Sequence, residues 1–522
     1  MRDKSEYGDF QTPLELARTI CRWLSQNGVT PEVLIEPTFG QGHFILAALE
    51  TFPSLRFVYG VEIYESYVNE AKQSIEHFLS GQKRNPQPSV NLHQEDVFQF
   101  SFDAIFQKHR DHKILVLGNP PWVTNASLSR KESTNVPEKS NFKGTNGIDA
   151  ITGKGNFDIG ESVTLAMLEA FSRSNGTLAF LVKNIVVRNI VHSQQTRRFG
   201  ISQLQQIAID AKKEFNASVD ASLFCAQLNK PPVTSCSAFE SFDKKVVYSF
   251  GWVAGQFVAD VEKYKHSRAL DGISPVVWRQ GIKHDCSGVM ELTKTETKYE
   301  NSLNESVLIE DELVYPLLKS SDLKTTVIGS TRKHVIVPQK FVGQNTNYIN
   351  RNFPKTFSYL QGHQEAFDRR KSSIYKGKPP FSVFGIGDYS FQPYKIAISG
   401  LYKQTCFSLV LPVEGKPAML DDTCYFLGMD SLSEAVCVFY LLNHQRTQEL
   451  FRSLIFWEGK RIITKDILMR LDYSRLMNDI PIGSIIEFAE DNKIDCEINL
   501  LREKWNEMQS RNIKKQPKLL FE

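Results

Sequence analysis

Apolar and polar residues repeat with two different periods along the first 230 residues. Short apolar runs predict buried strands at residues 33–36, 57–61, 90–93, 113–116 and 177–182. Between them, residues 43–50, 65–79 and 158–171 have the spacing of helices. Two further runs, 207–209 and 221–224, lie close together and predict an antiparallel pair. Strands that alternate with helices form a parallel sheet covered on both faces, so the pattern predicts a doubly wound α/β sheet with a hairpin at its end.

The first helix has a start signal of its own. Thr12 is placed to cap it, Pro13 suits the first helical position, and Glu15 closes a capping box. The apolar spacing then continues to about residues 27–28. The sequence therefore predicts a helix that begins at Pro13.

Two segments interrupt the alternation. Residues 124–155 are polar and rich in Ser, Asn, Lys and Gly, and a loop of that length inside a compact domain is typically functional or disordered. Residues 229–235 carry two prolines and follow the last predicted strand. Beyond them the alternation stops, with helical patterns near 433–442 and 485–508. We expect two domains, 1–230 and 236–522.

The length and composition of the chain narrow the class of protein to which it can belong. A chain of 522 residues is too long for one core, and 41% hydrophobic with 23% charged residues is ordinary for a globular protein. No apolar run approaches the length of a membrane span, and the amino terminus has no signal-like segment. Eight cysteines without a Cys-x-x-Cys pair argue against a zinc site and a disulfide framework, and for a reducing cytoplasm. The net charge of +3 says little about a polyanionic partner.

The motif Asn119-Pro120-Pro121-Trp122 follows the predicted strand 113–116. An exocyclic amino group on an aromatic ring is a poor nucleophile because its lone pair is delocalised. The Asn119 side-chain oxygen and the Pro120 carbonyl could accept its hydrogens and localise that lone pair. The prolines fix the backbone and add no competing N–H donor, and Trp122 offers a face for stacking. On these residues alone, a proline turn beside a core tryptophan is an equally good reading.

A second group of residues follows the earlier strands. Glu36-Pro37 precedes Gly40 and Gly42, which permit tight turning and close approach of a ligand. Ile45 stands where a pyrophosphate-binding loop has its third glycine. Glu62 is placed to accept two ribose hydroxyls, and Asp96 to accept from an adenine amino group. Together they indicate a site for a ribose-bearing adenine cofactor without phosphates.

The order of these pieces resembles that of S-adenosylmethionine-dependent N6-adenine DNA methyltransferases. Thr12-Pro13 comes first, the acidic and glycine residues follow, and Asn119-Pro120-Pro121-Trp122 comes after them, as in the γ arrangement of restriction–modification enzymes. The resemblance covers residues 8–228. Trp122 replaces the more frequent Tyr, and Glu36 replaces the usual Asp.

The resemblance implies S-adenosylmethionine as cofactor, no metal, and a flipped-out adenine in double-stranded DNA as substrate. It also implies a Rossmann-like seven-stranded methyltransferase sheet followed by an α+β target-recognition domain. Phe215 is the implied aromatic that stacks on the flipped base. Lys283, Lys460 and Arg461, with Arg279, are the candidates for DNA contacts. A cognate restriction endonuclease is left open as a second partner.

Three alternatives stay open from the sequence. The same turn could act on RNA or on a protein glutamine amide. A combined restriction–modification enzyme is disfavoured, because the chain reaches Thr12-Pro13 with no room before it for a nuclease domain. A non-catalytic DNA-binding subunit is disfavoured by the intact motif at Asn119.

Overall fold

The computed structural model describes residues 10–82, 86–123, 158–296 and 298–515. The chain divides into two compact units, Met1–Val261 and Glu262–Glu522. In the described ranges, no helix is long and apolar enough to cross a membrane.

The first unit is built on one sheet. Its described strands are β1 Val33–Glu36, β2 Phe57–Glu62, β3 Ser89–Gln94, β4 Ile114–Gly118, β5 Gly176–Lys183, β6 Ile201–Ile209, β7 Ala221–Leu228, β8 Ser235–Phe239, β9 Val246–Val253 and β10 Gln256–Val258. They are ordered β10-β9-β8-β6-β7-β5-β4-β1-β2-β3. Strands β1 to β5 pair in parallel, whereas β7 is antiparallel to both β5 and β6. Because the parallel strands run the same way, the residues that follow β1, β2, β3 and β4 meet at one edge.

Helices accompany this sheet. The described helices of the first unit are α1 Leu14–Gln26, α2 His43–Thr51, α3 Glu65–Ser80, α4 Asp103–Lys108, α5 Ile159–Phe171, α6 Asn184–Arg197 and α7 Ala211–Phe215. Helix α1 buries Leu16, Ala17, Ile20 and Leu24, which recur at helical spacing. Strand β4 is buried along its whole length, as expected for a strand covered on both faces.

The start of α1 differs from the prediction. The helix begins at Leu14, and Pro13 is an extended residue before it (φ −57°, ψ 137°) with no side-chain cap. Glu15 does not close a capping box, because its carboxylate pairs with Arg18 at 2.6 Å. Thr12 instead contributes its backbone carbonyl, which accepts from His43 Nδ1 at 2.7 Å.

The sheet extends beyond the expected seven strands to ten within the described residues. The predicted antiparallel pair is present as β6 and β7, but it does not end the sheet, since β8 pairs with β6 in parallel. Residues 229–234 therefore connect two strands of one sheet, and the first unit ends about 30 residues after the expected boundary at 230. Helices α4, α6 and α7 were not predicted, and residues 124–155 lie outside the described residues.

The second unit mixes two smaller sheets with helices. Its described strands are β11 Arg279–Gln280, β12 Glu291–Lys294, β13 Tyr299–Asn301, β14 Ser306–Val307, β15 Val314–Leu318, β16 Val327–Ile328, β17 Lys333–Ile336, β18 Tyr394–Ser399, β19 Ser408–Val410, β20 Met419–Leu420 and β21 Cys424–Met429. They form the sheets β11-β21-β18-β19-β16 and β14-β13-β12-β17-β15-β20.

Its described helices are α8 Val261–Ser267, α9 Ser287–Met290, α10 Tyr348–Asn352, α11 Pro354–Gly362, α12 Gln364–Asp368, α13 Leu432–Asn443, α14 Gln445–Leu454, α15 Lys465–Leu468, α16 Ile482–Asp491 and α17 Ile498–Lys515. The helix predicted near 433–442 corresponds to α13. The pattern at 485–508 is two helices, α16 and α17, because the chain leaves helical geometry at Asn492.

Candidate active site

A cleft opens at the carboxyl ends of β1 to β4. Its volume is about 1150 Å³, part of which is open to solvent. It is lined by eight of the residues predicted from sequence: Thr12, Glu36, Pro37, Gly40, Glu62, Asp96, Asn119 and Pro121. The fold therefore brings together side chains that four different strands supply.

The turn after β1 needs its glycines for two separate reasons. Gly40 and Gly42 both have positive φ, 51° and 77°. A Cβ on Gly40 would collide with the side-chain oxygen of Gln11, and one on Gly42 would lie 3.0 Å from the Cβ of Ala71. The turn is thus fixed by close packing against neighbouring protein atoms.

Two carboxylates stand at the inner end of the cleft. Glu36 is 2% exposed, and within the described residues its Oε2 has no hydrogen-bond partner. Burial raises the pKa of the Glu36 carboxyl well above its usual range, and the nearby Glu62 carboxylate raises it further. Glu62 accepts backbone N–H groups from Gly40 and Tyr64, each at 2.9 Å. A carboxylate has about four acceptor positions, so Glu62 can still accept from a ligand.

Asn119 has an asymmetric environment. Its Nδ2 donates to the Phe10 carbonyl at 2.8 Å. Its Oδ1 is buried and, among the residues that the structure describes, has no hydrogen-bond partner. Because the nitrogen is anchored to a carbonyl, the amide presents an unpaired acceptor at the cleft.

Trp122 and Phe215 are brought together away from the cleft lining. Trp122 is 7% exposed, and its indole N–H donates to the Leu181 carbonyl at 3.2 Å. Its ring centroid lies 5.0 Å from that of Phe215 and 5.5 Å from that of Phe10. The two aromatic residues expected to contact a base therefore pack against each other and against Phe10. Pro120, two residues before Trp122, is also buried. Just after the end of β3, Asp96 accepts a hydrogen bond from Phe98 N at 3.0 Å and so caps the turn that follows this strand.

Lys183 and Asp158 support the turn at residues 119–122, a role that no sequence pattern indicates. Lys183 donates to the Trp122 carbonyl at 3.3 Å and forms a buried ion pair with Asp158. Burial raises the pKa of the Asp158 carboxyl, against the opposing effect of the Lys183 ammonium. Ile159 N also donates to the Val123 carbonyl at 3.0 Å. The end of β5 and the start of α5 together fix the backbone after Pro121.

A short segment before α1, residues 10–12, is a second feature that sequence reasoning missed; we call it the strap. The Phe10 carbonyl holds Asn119, Gln11 Oε1 accepts from Gln41 N at 3.0 Å, and the Thr12 carbonyl accepts from His43. The strap therefore connects the glycine turn to the amide of Asn119. No hydrophobic periodicity marks the strap, and Thr12 is the one strap residue that the sequence predicts as a site residue.

The predicted DNA-contacting cations lie in the second unit. Lys283 Nζ is 2.5 Å from an Asp285 oxygen and 3.8 Å from one of Asp422. Arg461 approaches the same Asp422 at 3.9 Å. Lys460 is exposed next to it in the chain. The structure thus gathers Lys283 and Arg461 around one acid that partly offsets their charge.

Comparison with known proteins finds a relative in sequence and a neighbour in fold, each of which covers most of this chain. A type II methyltransferase from Nostoc sp., M.NspV, is 38% identical over 473 residues, which is 90% of this chain and 97% of that protein. The restriction–modification enzyme MmeI, solved in complex with DNA, superposes with a TM-score of 0.52 at 11% identity and covers 98% of this chain and 74% of its own. No protein-family model matches the sequence.

Proposed function

The chain belongs to the type II methyltransferases of restriction–modification systems, and from that premise we propose that it methylates the N6 amino group of adenine in double-stranded DNA. S-adenosylmethionine is the proposed methyl donor. The first unit carries the transfer, and the second selects the DNA sequence. A cognate endonuclease blocked by the same methylation is the proposed partner.

The observation that carries this proposal is the unpaired oxygen of Asn119. An amide whose nitrogen is occupied by the Phe10 carbonyl can only accept at its other end. An exocyclic amino group offers two hydrogens, and accepting one of them restores nucleophilic character to its nitrogen. Such an acceptor is most valuable when charge develops in the transition state and its direction is fixed beforehand.

The cofactor fits the carboxylates of the cleft. Glu36 is 2% exposed, and its Oε2 has no hydrogen-bond partner in the described part of the chain. Such a buried oxygen destabilises the protein unless a ligand supplies a donor or a positive charge. Glu62 would accept from ribose hydroxyls and Asp96 from the adenine amino group, with the apolar side chains of Ile63 and Phe98 beside them in the lining. S-adenosylmethionine supplies a methyl group already activated for attack, so no metal or covalent nucleophile is required of the chain.

The target amine has to leave the duplex to reach Asn119, as for other enzymes that act on a base. Trp122 and Phe215 are the proposed contacts for the extruded base, together with the Pro120 carbonyl. Because both rings pack against Phe10 in the structure, base entry would require this aromatic group to rearrange. MmeI, which shares this fold, was solved in complex with DNA, and this supports DNA as the proposed substrate.

The test is to sequence DNA from cells that express the wild-type protein or Asn119→Ala, with detection of modified bases. We expect N6-methyladenine at one recurrent sequence in the wild-type sample and its loss in the variant. Assays on RNA and on protein substrates run in parallel. Methylation of either one without modified adenine in DNA would overturn the proposal.

A further inference from the structure

The second unit contains an open groove of about 1550 Å³. Of the predicted DNA contacts, Arg279 alone lies in its lining. Arg279, Tyr389, Lys340 and Phe341 line it, with the acidic residues Asp388 and Asp430. We call it the Arg279 groove. It combines hydrogen-bond donors, hydrogen-bond acceptors and exposed apolar surface.

Arg279 is presented to this groove with its donors free. Its guanidinium carbon lies 4.6 Å from the ring centroid of Tyr389, which holds it by a cation–π contact. The side chain is exposed, and no described residue accepts a hydrogen bond from it or pairs with it as an acid. Lys283 and Arg461, by contrast, lie near Asp422. Arg279 is therefore oriented by a ring while its N–H groups stay available.

A loop held by hydrogen bonds, residues 339–344, supplies the apolar part of the groove. The Gln339 side chain is 1% exposed, donates to the Gln344 carbonyl at 2.6 Å and accepts from Val383 N at 2.9 Å. Gln344 Oε1 in turn accepts from Lys340 N at 2.6 Å. Phe341, at the tip, is nevertheless 57% exposed, beside Val342 at 44%. Two adjacent apolar side chains are thus held in solvent by a hydrogen-bonded backbone.

The acceptors of the groove are fixed as well. Gln392 Nε2 donates to Asp430 at 3.1 Å, and the buried Lys395 donates to the Gln392 carbonyl at 2.7 Å. Asp388 lies in the same lining. These carboxylates would repel a phosphate, whereas each could accept from an exocyclic amino group of a base.

We propose that the Arg279 groove reads base edges in the major groove of duplex DNA, a role that rests on the proposed DNA methyltransferase function. Phosphates only accept hydrogen bonds, so a phosphate site needs donors alone. Base edges present donors, acceptors and the thymine methyl group, and this groove offers a counterpart to each. Arg279 pairs with the two acceptors of a guanine, and Phe341 contacts a thymine methyl group at a neighbouring position.

The test is a binding selection on DNA with randomised bases, with the full-length protein and S-adenosylmethionine present. For Arg279→Ala we expect discrimination at one G·C pair to fall by about 5- to 150-fold, since a bidentate contact contributes roughly that factor. The salt dependence of binding to nonspecific DNA should not change, because no phosphate contact is removed. Arg351→Ala is the matched control, since Arg351 is an exposed arginine of the same unit outside the groove lining. It should leave the selected sequence unchanged.

Phe341→Ala is the second variant, and it should relax selection at an A·T pair near that G·C pair. Unchanged selection with both variants would overturn the groove assignment while leaving methylation intact. A uniform loss of affinity with a shallower salt slope for Arg279→Ala would also overturn it, because that pattern marks a phosphate contact. Because the experiment measures binding, a loss of selection can be seen even if the wild-type protein methylates no adenine. A lack of adenine methylation would overturn the proposed function and leave the groove assignment standing.

Discussion

Among the residues that the structure describes, the cleft of the first unit and the Arg279 groove of the second both hold polar groups without a partner, but of opposite kinds. In the cleft they are two buried oxygen atoms, Glu36 Oε2 and Asn119 Oδ1. In the groove the unpaired group is a donor, Arg279, and it is exposed. A buried acceptor without a partner destabilises the fold by about 1–3 kcal/mol, whereas an exposed guanidinium is solvated by water. The cleft therefore carries a cost of folding that the groove does not.

This difference explains what each region can do. A buried acceptor with a fixed direction suits one transition state, because nothing reorganises when charge develops. An exposed donor held over a ring suits choice among base pairs, because water satisfies it until the right base arrives. Substitutions in the cleft should therefore change the rate of methylation, and substitutions in the groove should change the DNA sequence that is selected.

The largest expected effect is on catalysis by Asn119→Ala. Removing the preoriented acceptor should lower the single-turnover methylation rate by about 10²–10³-fold, by analogy with the loss of one oxyanion-hole donor. Binding of DNA and of the cofactor should change little, since the contact matters mainly in the transition state. Rapid-quench measurement with saturating DNA and cofactor gives the rate. A wild-type rate would mean that Asn119 is not the catalytic acceptor.

The convergence of Glu36, Glu62, Asp96 and Asn119 could be predicted from sequence because each ends or closely follows a strand, and parallel strands end at one edge of a sheet. The strap could not, since its hydrogen bonds reach partners 30 to 109 residues away and no local pattern encodes them. Strands β8 to β10 were missed for a related reason. They follow a proline-bearing segment that is typical of a linker, and only pairing with β6 shows that it is a connection. The sequence identifies Arg279 only as a cation, because its contact with the Tyr389 ring and the absence of an acid partner among the described residues depend on tertiary structure.

Glu62→Ala should have the next largest effect, on cofactor affinity. Loss of an acceptor for ribose hydroxyls should weaken S-adenosylmethionine binding by about 1–3 kcal/mol. Because Glu62 also accepts from Gly40 and Tyr64, Glu62→Gln is the control that keeps one acceptor for the turn. Calorimetric titration measures both variants. Unaltered affinity in Glu62→Ala would remove Glu62 from the cofactor site.

Gln11 tests whether the strap couples the two halves of the cleft. Gln11→Met keeps the length of the side chain but loses the acceptor for Gln41 N, so the glycine turn and Asn119 lose one connection. We expect a rate loss of about 3- to 10-fold, the equivalent of one ordinary hydrogen bond. Gln11→Glu retains an acceptor oxygen and should recover most of the rate. If Gln11→Met and Gln11→Glu methylate at the same rate, the side-chain oxygen of Gln11 has no such role.

The smallest effect concerns stability and tests the comparison directly. In the free protein the pKa of Glu36 is raised, so the folded state favours the protonated carboxyl and loses stability as pH rises above its unfolded value of 4.5. Glu36→Gln removes that loss. Its melting temperature should match the wild type below about pH 4.5 and exceed it near neutral pH by roughly 2–4 °C, while cofactor binding weakens.

Arg279→Met is the counterpart in the groove. The substitution removes an exposed guanidinium that water already hydrates, so the free energy of unfolding should change by no more than about 0.5 kcal/mol at any pH. Calorimetric melting of both variants from pH 4 to 8, without cofactor, measures the contrast. If Glu36→Gln melts no higher than the wild type at neutral pH, the buried carboxylate is satisfied in the free protein. Glu36 would then carry no cost of folding for the cofactor to relieve, and the contrast between the two regions would rest on Asn119 Oδ1 alone.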